Sequence, residues 1–211
     1  MKIIVFLTSM LLWSNTYYTQ SEINEESSKF KFGFNLGTNF SNLIHKPYNQ
    51  ANLSLPNNAE ISNGIGFSLG LIMDYSITDK LTISPKSEMS FYNSSVVFID
   101  NDNSNNIYEI FPTSLNFMTH FVYKIKNNNI IPYLLIGPNF KIPISRKPNS
   151  NTEFHNSSDI AIDLGIGLEN KTKVLIFAPE LKYSFGLLNI NQNPLLQRLY
   201  FHNISLIINF K

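Results

Sequence analysis

The chain of 211 residues contains no cysteine, which excludes a disulfide scaffold and thiolate metal sites. Charge is scarce: Asp, Glu, Lys and Arg make up 15% of the residues, against about 25% in ordinary soluble domains. Those charges nearly cancel, giving a formal net +1 with no basic run, so no nucleic-acid partner is expected. Beyond the N-terminal segment there is no stretch of ~18 consecutive apolar residues, so no membrane-spanning helix is expected. Glycine-rich phosphate loops, nucleophile elbows and metal-ligand spacings are also missing, so no cofactor, metal or catalytic residue is expected. What is present is aromatic, 13% of the chain and almost all of it Phe and Tyr. Little charge and many aromatics suit a surface that partly faces lipid.

The first residues read as a secretory signal. Lys2 supplies the positive start, and Ile3 to Trp13 form an apolar core of the right length. Ser14 and Thr16 place cleavage after Thr16, with a cut near Gln20 as the alternative. Residues 1–20 are therefore assigned to the signal, 21–29 to a polar linker and 30–211 to one folded unit. An exported chain without a spanning helix, but with long amphipathic strands, points to a bacterial outer membrane.

The clearest strands lie between Ser158 and Leu187. Ile160, Ile162, Leu164, Ile166 and Leu168 alternate with Asp159, Ala161, Asp163, Gly165, Gly167 and Glu169. After a KTK turn, Leu175, Phe177, Leu181, Tyr183, Phe185 and Leu187 alternate with Val174, Ile176, Ala178, Glu180, Lys182, Ser184 and Gly186. A period of two marks β-strands with one apolar face. Their length, about a dozen residues, is near the ~9–11 that a tilted strand needs to cross a bilayer.

The same pattern predicts six further strands. They fall at 30–43, 64–77, 81–97, 108–125, 130–144 and 200–210. On the third, Thr82, Ser84, Lys86, Glu88, Ser90 and Tyr92 share the polar face; on the fourth, Phe111, Leu115, Phe117, Phe121, Tyr123 and Ile125 face away from Asn116, His120 and Lys124. The fifth carries Pro132, Pro138 and Pro143 with Gly137, which leave its facing ambiguous and predict bulges or an irregular rim. Long Asn- and Pro-rich loops (45–62, 98–107, 145–157, 188–199) alternate with short turns (TDK, KNNN, KTK). Short inner turns and long outer loops are the asymmetry of outer-membrane barrels. The chain also ends on a strand with an aromatic at the penultimate position, similar to the signal read by outer-membrane assembly machinery. The expected fold is all-β: an eight-stranded antiparallel up-and-down transmembrane β-barrel. A soluble lipocalin-like barrel shows the same alternation. It is disfavoured because the polar faces would cover a wet exterior poorly, and the apolar faces hold more bulk than a small barrel encloses.

Two blocks, IIPYLLIGPNF (130–140) and FAPELKYSFGL (177–187), with DIAIDLGIGLE between them, resemble the second half of the PorT-type outer-membrane β-barrel proteins of Bacteroidetes. FGFNLGTNFSNL and GFSLGLIMDYSITDKLTI resemble the first half of that broader barrel family. One segment departs from the pattern: LNFMTHFVYKI (115–125) lacks the family's proline and carboxylate there. The resemblance implies a non-enzymatic accessory role in type IX secretion or gliding motility, with outer-membrane lipid and other secretion-system proteins as partners. The alternative is a small structural or adhesive barrel resembling OmpX, acting through its long outer loops.

Within the barrel, Asp74, Lys86, Glu88, Asp159, Asp163, Glu180 and Lys182 form the candidate site, a charge network filling the lumen. Eight strands leave room inside only for side chains, which disfavours both a channel and a pair of catalytic acids. Of the histidines, His45 and His155 are placed in loops and His120 in the lumen. His202 and Ser205 stand three apart on a strand, on opposite faces, so they form no nucleophile–base pair. Tyr75, Tyr92, Tyr123, Tyr133, Tyr183 and Tyr200 are expected to supply aromatic girdles at the membrane boundaries.

Overall fold

The computed structural model describes residues 29–47, 58–99, 105–109, 113–125, 130–144, 158–172, 175–191 and 196–211. The expected signal, the linker up to residue 28, the 145–157 loop with His155, and Phe111 lie outside these residues. In chain order the strands are β1 (Phe30–Pro47), β2 (Asn58–Asn63), β3 (Ile65–Ser76), β4 (Leu81–Phe91), β5 (Ser94–Ile99) and β6 (Asn105–Glu109). They continue with β7 (Thr113–Lys124), β8 (Ile130–Pro143), β9 (Asp159–Lys171), β10 (Ile176–Gly186) and β11 (Leu196–Phe210). Eight of them close an antiparallel barrel in the order β1-β11-β10-β9-β8-β7-β4-β3. The remaining three form a separate sheet, β2-β5-β6.

The faces are inverted relative to a soluble barrel. Ile65, Phe32 and Leu71 are 74%, 70% and 69% exposed on the outside, while Asn35, Ser84, Lys141, Asp163 and Asn209 are buried inside. Such an exterior is stable only in hydrocarbon, which removes the lipocalin alternative. Two aromatic bands mark its edges. At the end of the short turns stand Phe30, Tyr75, Tyr123, Phe177 and Phe210; toward the other end stand Phe40, Phe67, Phe91, Phe140 and Phe185. The bands are ten residues apart on β1, from Phe30 to Phe40. On a tilted strand that is roughly 25 Å of height, the apolar span of outer-membrane barrels. Tyr92 and Tyr133 do not belong to the girdles. They are 7% and 2% exposed and point inward, filling the lumen.

Register fixes the tilt. Stepping from Asn39 through Ser205, Lys182, Gly165, Leu135, Val122, Thr82 and Ser76 returns to β1 at Lys29, ten residues lower. With strands ~4.8 Å apart and a rise of ~3.3 Å per residue, this offset sets a tilt of roughly 40°.

Several sequence expectations are corrected. The third strand ends at Phe91, not 97, and the fourth begins at Thr113, not 108. The 45–62 loop contains most of β2, the 98–107 loop the end of β5 and the start of β6, and β1 runs on to Pro47, so His45 lies on a strand. The 188–199 loop gives way to β11 at Leu196. β8 is not irregular: its register with β7 and β9 is unbroken, because Pro132 and Pro138 sit at outward positions where the ladder tolerates them.

The second sheet prolongs the barrel wall. β5 and β6 keep the register of β4 and β7, since Phe91↔Thr113 and Ser95↔Glu109 belong to one alignment. On the other flank Asn63 faces Ser94, whereas the β3–β4 register would place it opposite Ser95. Gly64 is the additional residue, a bulge whose N–H donates to the Asn93 carbonyl at 2.6 Å. A side chain there would collide with Asn93. Among the described residues the wall is therefore tall along β11, β1, β2/β3, β4/β5 and β6/β7, and lower along β8 to β10.

Candidate functional site

The alternation that turns apolar side chains outward delivers every member of the expected network to the lumen. Asp74, Lys86, Glu88, Asp159, Asp163, Glu180 and Lys182 are each at most 5% exposed. Glu180 is a hub. Lys86 Nζ donates to both its carboxylate oxygens at 2.9 and 3.0 Å, the Tyr133 hydroxyl donates at 3.0 Å and Asn209 Nδ2 at 3.2 Å. β4 and β10 stand opposite each other in the ring, so the Lys86–Glu180 pair crosses the full width of the barrel.

Asp163 is a second hub. It meets His120 Nε2 at 3.0 Å, accepts from Asn139 Nδ2 at 3.1 and 3.2 Å, and pairs with Lys182 at 3.4 Å. Lys182 also donates to the Met118 sulfur at 3.1 Å. Asp74 accepts from Ser84 Oγ and from Lys211 Nζ, each at 2.6 Å. Asp159 pairs more loosely with Lys141 at 3.5 Å. Glu88 accepts from Ser90 Oγ at 2.8 Å and has no ion pair within 4 Å among the described residues.

Sequence reasoning left four charged residues out of the network. Glu169 pairs with Lys124 at 3.1 Å, Lys141 with Asp159, and Lys211 with Asp74. Glu169 was readable from the alternation of its own strand. Lys141 was hidden by the doubt over the facing of β8, whose inner positions Ile131, Tyr133 and Leu135 are apolar. Lys211 follows the last strand and carries no periodic signal.

Glycine makes room for the hubs. A Cβ on Gly167 would run into the Tyr133 ring, and one on Gly165 would press on Leu135. Above the charges the outer mouth is apolar: Leu43, Val96, Ile190, Leu199 and Phe201 are all at most 4% exposed. Tyr92 meets Phe201 edge-on at 4.9 Å, and Lys141 Nζ lies over the Phe201 ring at 4.9 Å. Buried carboxylates held this way cross-link strands; they present no open face to a substrate. His202 and Ser205 do point apart. His202 bonds Tyr183 on the outer wall, and Ser205 bonds Asn39 inside.

Residues 18–192 match the family model described as "Outer membrane protein beta-barrel domain". The chain belongs to that family. It is an outer-membrane barrel; barrels of this kind turn their short connections to the periplasm and their longer ones to the exterior. Among solved structures, this outer-membrane barrel is similar to Ail, the attachment invasion locus protein of Yersinia pestis, crystallised with the heparin analogue sucrose octasulfate. The identity is 14%, over 85% of this chain and 96% of that one, with a TM-score of 0.41. It is also similar to the outer membrane protein AlkL, determined by solid-state NMR in DMPC bilayers. That identity is 12%, over 92% of this chain and 94% of AlkL, with a TM-score of 0.47. No curated protein matches the sequence.

Proposed function

We propose that this outer-membrane barrel is non-enzymatic and acts as a structural or adhesive element of the cell surface, through the sheet raised on its outer rim. The observation that carries this reading is the pairing of a filled lumen with an extended outer wall. The hubs and the apolar mouth occupy the interior, so among the described residues the surface left for interaction beyond the membrane is the β2-β5-β6 sheet. Among the described residues β6 pairs with β5 alone, and its other edge is the place where an added strand would join the sheet. Replacing residues 94–109 by a short turn should abolish binding of cells to a coated surface while the barrel still shifts its gel mobility on heating. Undiminished attachment would remove the reading.

An accessory role in type IX secretion or gliding is the second reading. Its support is that the segments resembling the PorT type lie on β8 and β10, whose outer faces share an apolar furrow of about 850 Å³. Leu134, Ile136, Leu164, Ile166, Leu181 and Tyr183 line it, a surface for a partner in the plane of the membrane. Deleting the gene and assaying secreted proteins and colony spreading tests it; normal secretion and spreading would exclude it.

A further inference from the structure

Among the described residues of the lipid-facing wall, from the lower aromatic band up to the level of the outer one, the ionisable side chain other than tyrosine is His202. Elsewhere the outer band is Phe: Phe40, Phe67, Phe91, Phe140 and Phe185. On β11 the outward series climbs from Leu206 and Ile204 to His202, Tyr200 and then Arg198. An ionisable group on a lipid-facing surface is costly and marks a functional site. This one is also built in. His202 is 3% exposed, its Nδ1 lies 2.9 Å from the Tyr183 hydroxyl, and Phe185 packs edge-on against the ring at 4.6 Å. Asn42, exposed on β1, is its partner in the ladder.

The height of the cluster identifies its ligand. His202 lies level with the outer aromatic band, and Arg198, exposed, lies one further turn of the pleat above Tyr200. Acyl chains end at this level and headgroups begin. In the tautomer in which Nδ1 accepts from the Tyr183 hydroxyl, the imidazole proton sits on Nε2, which is then a donor at the boundary. The Arg198 guanidinium above it offers the fork geometry and the fixed charge that suit a phosphate.

We propose that the outer end of β11 binds the phosphorylated headgroup of an outer-leaflet glycolipid, with Arg198 and His202 as its phosphate donors and Tyr183 positioning the imidazole. The site anchors one lipid against the tall side of the wall, and charge complementarity selects an anionic headgroup over a neutral one.

The test refolds the mature chain into DMPC vesicles containing bisphosphorylated lipid A, the same lipid chemically dephosphorylated, or neither. The readout is the midpoint of heat-induced mobility shift on a gel. Lipid A should raise the midpoint by several degrees and the dephosphorylated lipid should not. Arg198→Gln should remove most of the rise, and Arg198→Gln with His202→Phe all of it. Equal protection by the dephosphorylated lipid, or a full rise in the double variant, overturns the proposal. Should His202→Phe not fold, Arg198→Gln, at an exposed position, decides alone: a rise as large as in the parent protein overturns it.

Discussion

Glu180 shows how single residues hold this interior together. Its carboxylate collects donors from β4, β8 and β11 while its own backbone belongs to β10, so one side chain ties four of the eight strands. A carboxylate 2% exposed is tolerable only because those donors replace its lost hydration. Glu180→Ala leaves the Lys86 ammonium buried without its partner, which costs about 3–5 kcal/mol. A matched replacement by apolar side chains is far milder, since no charge is stranded. Urea unfolding in lipid vesicles should therefore show a large drop in midpoint for Glu180→Ala and recovery of most of it in Lys86→Met/Glu180→Leu. A double variant as unstable as the single one would show that the pair stabilises by more than mutual neutralisation. The polar face of the Ser158–Leu187 hairpin already pointed to this arrangement, because its acids and lysine alternate with bulky apolar residues. What no single strand carries is the pairing across the lumen. Lys86 and Glu180 are 94 residues apart and meet only because the closed barrel sets their strands face to face.

At the scale of elements, the barrel strands and the outer strands were legible to different degrees, for a physical reason. Each barrel strand buries one face in lipid and the other in the lumen, so its alternation is long and strict. β2, β5 and β6 are five or six residues each, and NAEISN, SSVVFI and NNIYE lack a clean period of two. Their conformation comes from continuing the ladders of β3, β4 and β7 beyond the membrane, a tertiary cause that local sequence does not express. β8 erred in the other direction. Its prolines suggested disruption, but two of them sit on the outward face, where the missing N–H is tolerated and the register stays intact. The outer sheet is thus the separable part of the wall. β5 is its central strand, with β2 on one side and β6 on the other, and Val97 pairs with both Glu60 and Ile107. Val97→Pro removes a backbone donor in the middle of those ladders and should disorder the sheet while the barrel below folds normally. Limited proteolysis should then cut within residues 58–63 and 94–109 in the variant and not in the parent, with the heat-modifiable gel shift unchanged in both. Loss of the gel shift would mean that the outer sheet is needed to close the barrel.

The whole molecule is governed by strand number and stagger. Eight strands with an offset of ten residues fix both the tilt, roughly 40°, and a radius that leaves space for side chains alone. The side chains present use that space: Tyr133, Lys141, His120 and Phe201 are at most 2% exposed inside it, and the Lys86–Glu180 pair spans it. An ion crossing this lumen would have to shed its water among groups already committed to one another, beneath a mouth closed by Leu43, Leu199 and Phe201. Two measurements follow from the one geometry. Polarised infrared dichroism of the protein in aligned bilayers should return a strand tilt near 40°, which checks the stagger without reference to the interior. Planar bilayers doped with the refolded chain should stay electrically silent over the range of voltages that the lipid withstands. A steady ohmic conductance alongside the expected tilt would show that the ion-paired lumen opens in the membrane. A tilt well outside 35–45° would instead place the error in the register itself, and with it the radius from which the filled lumen was argued.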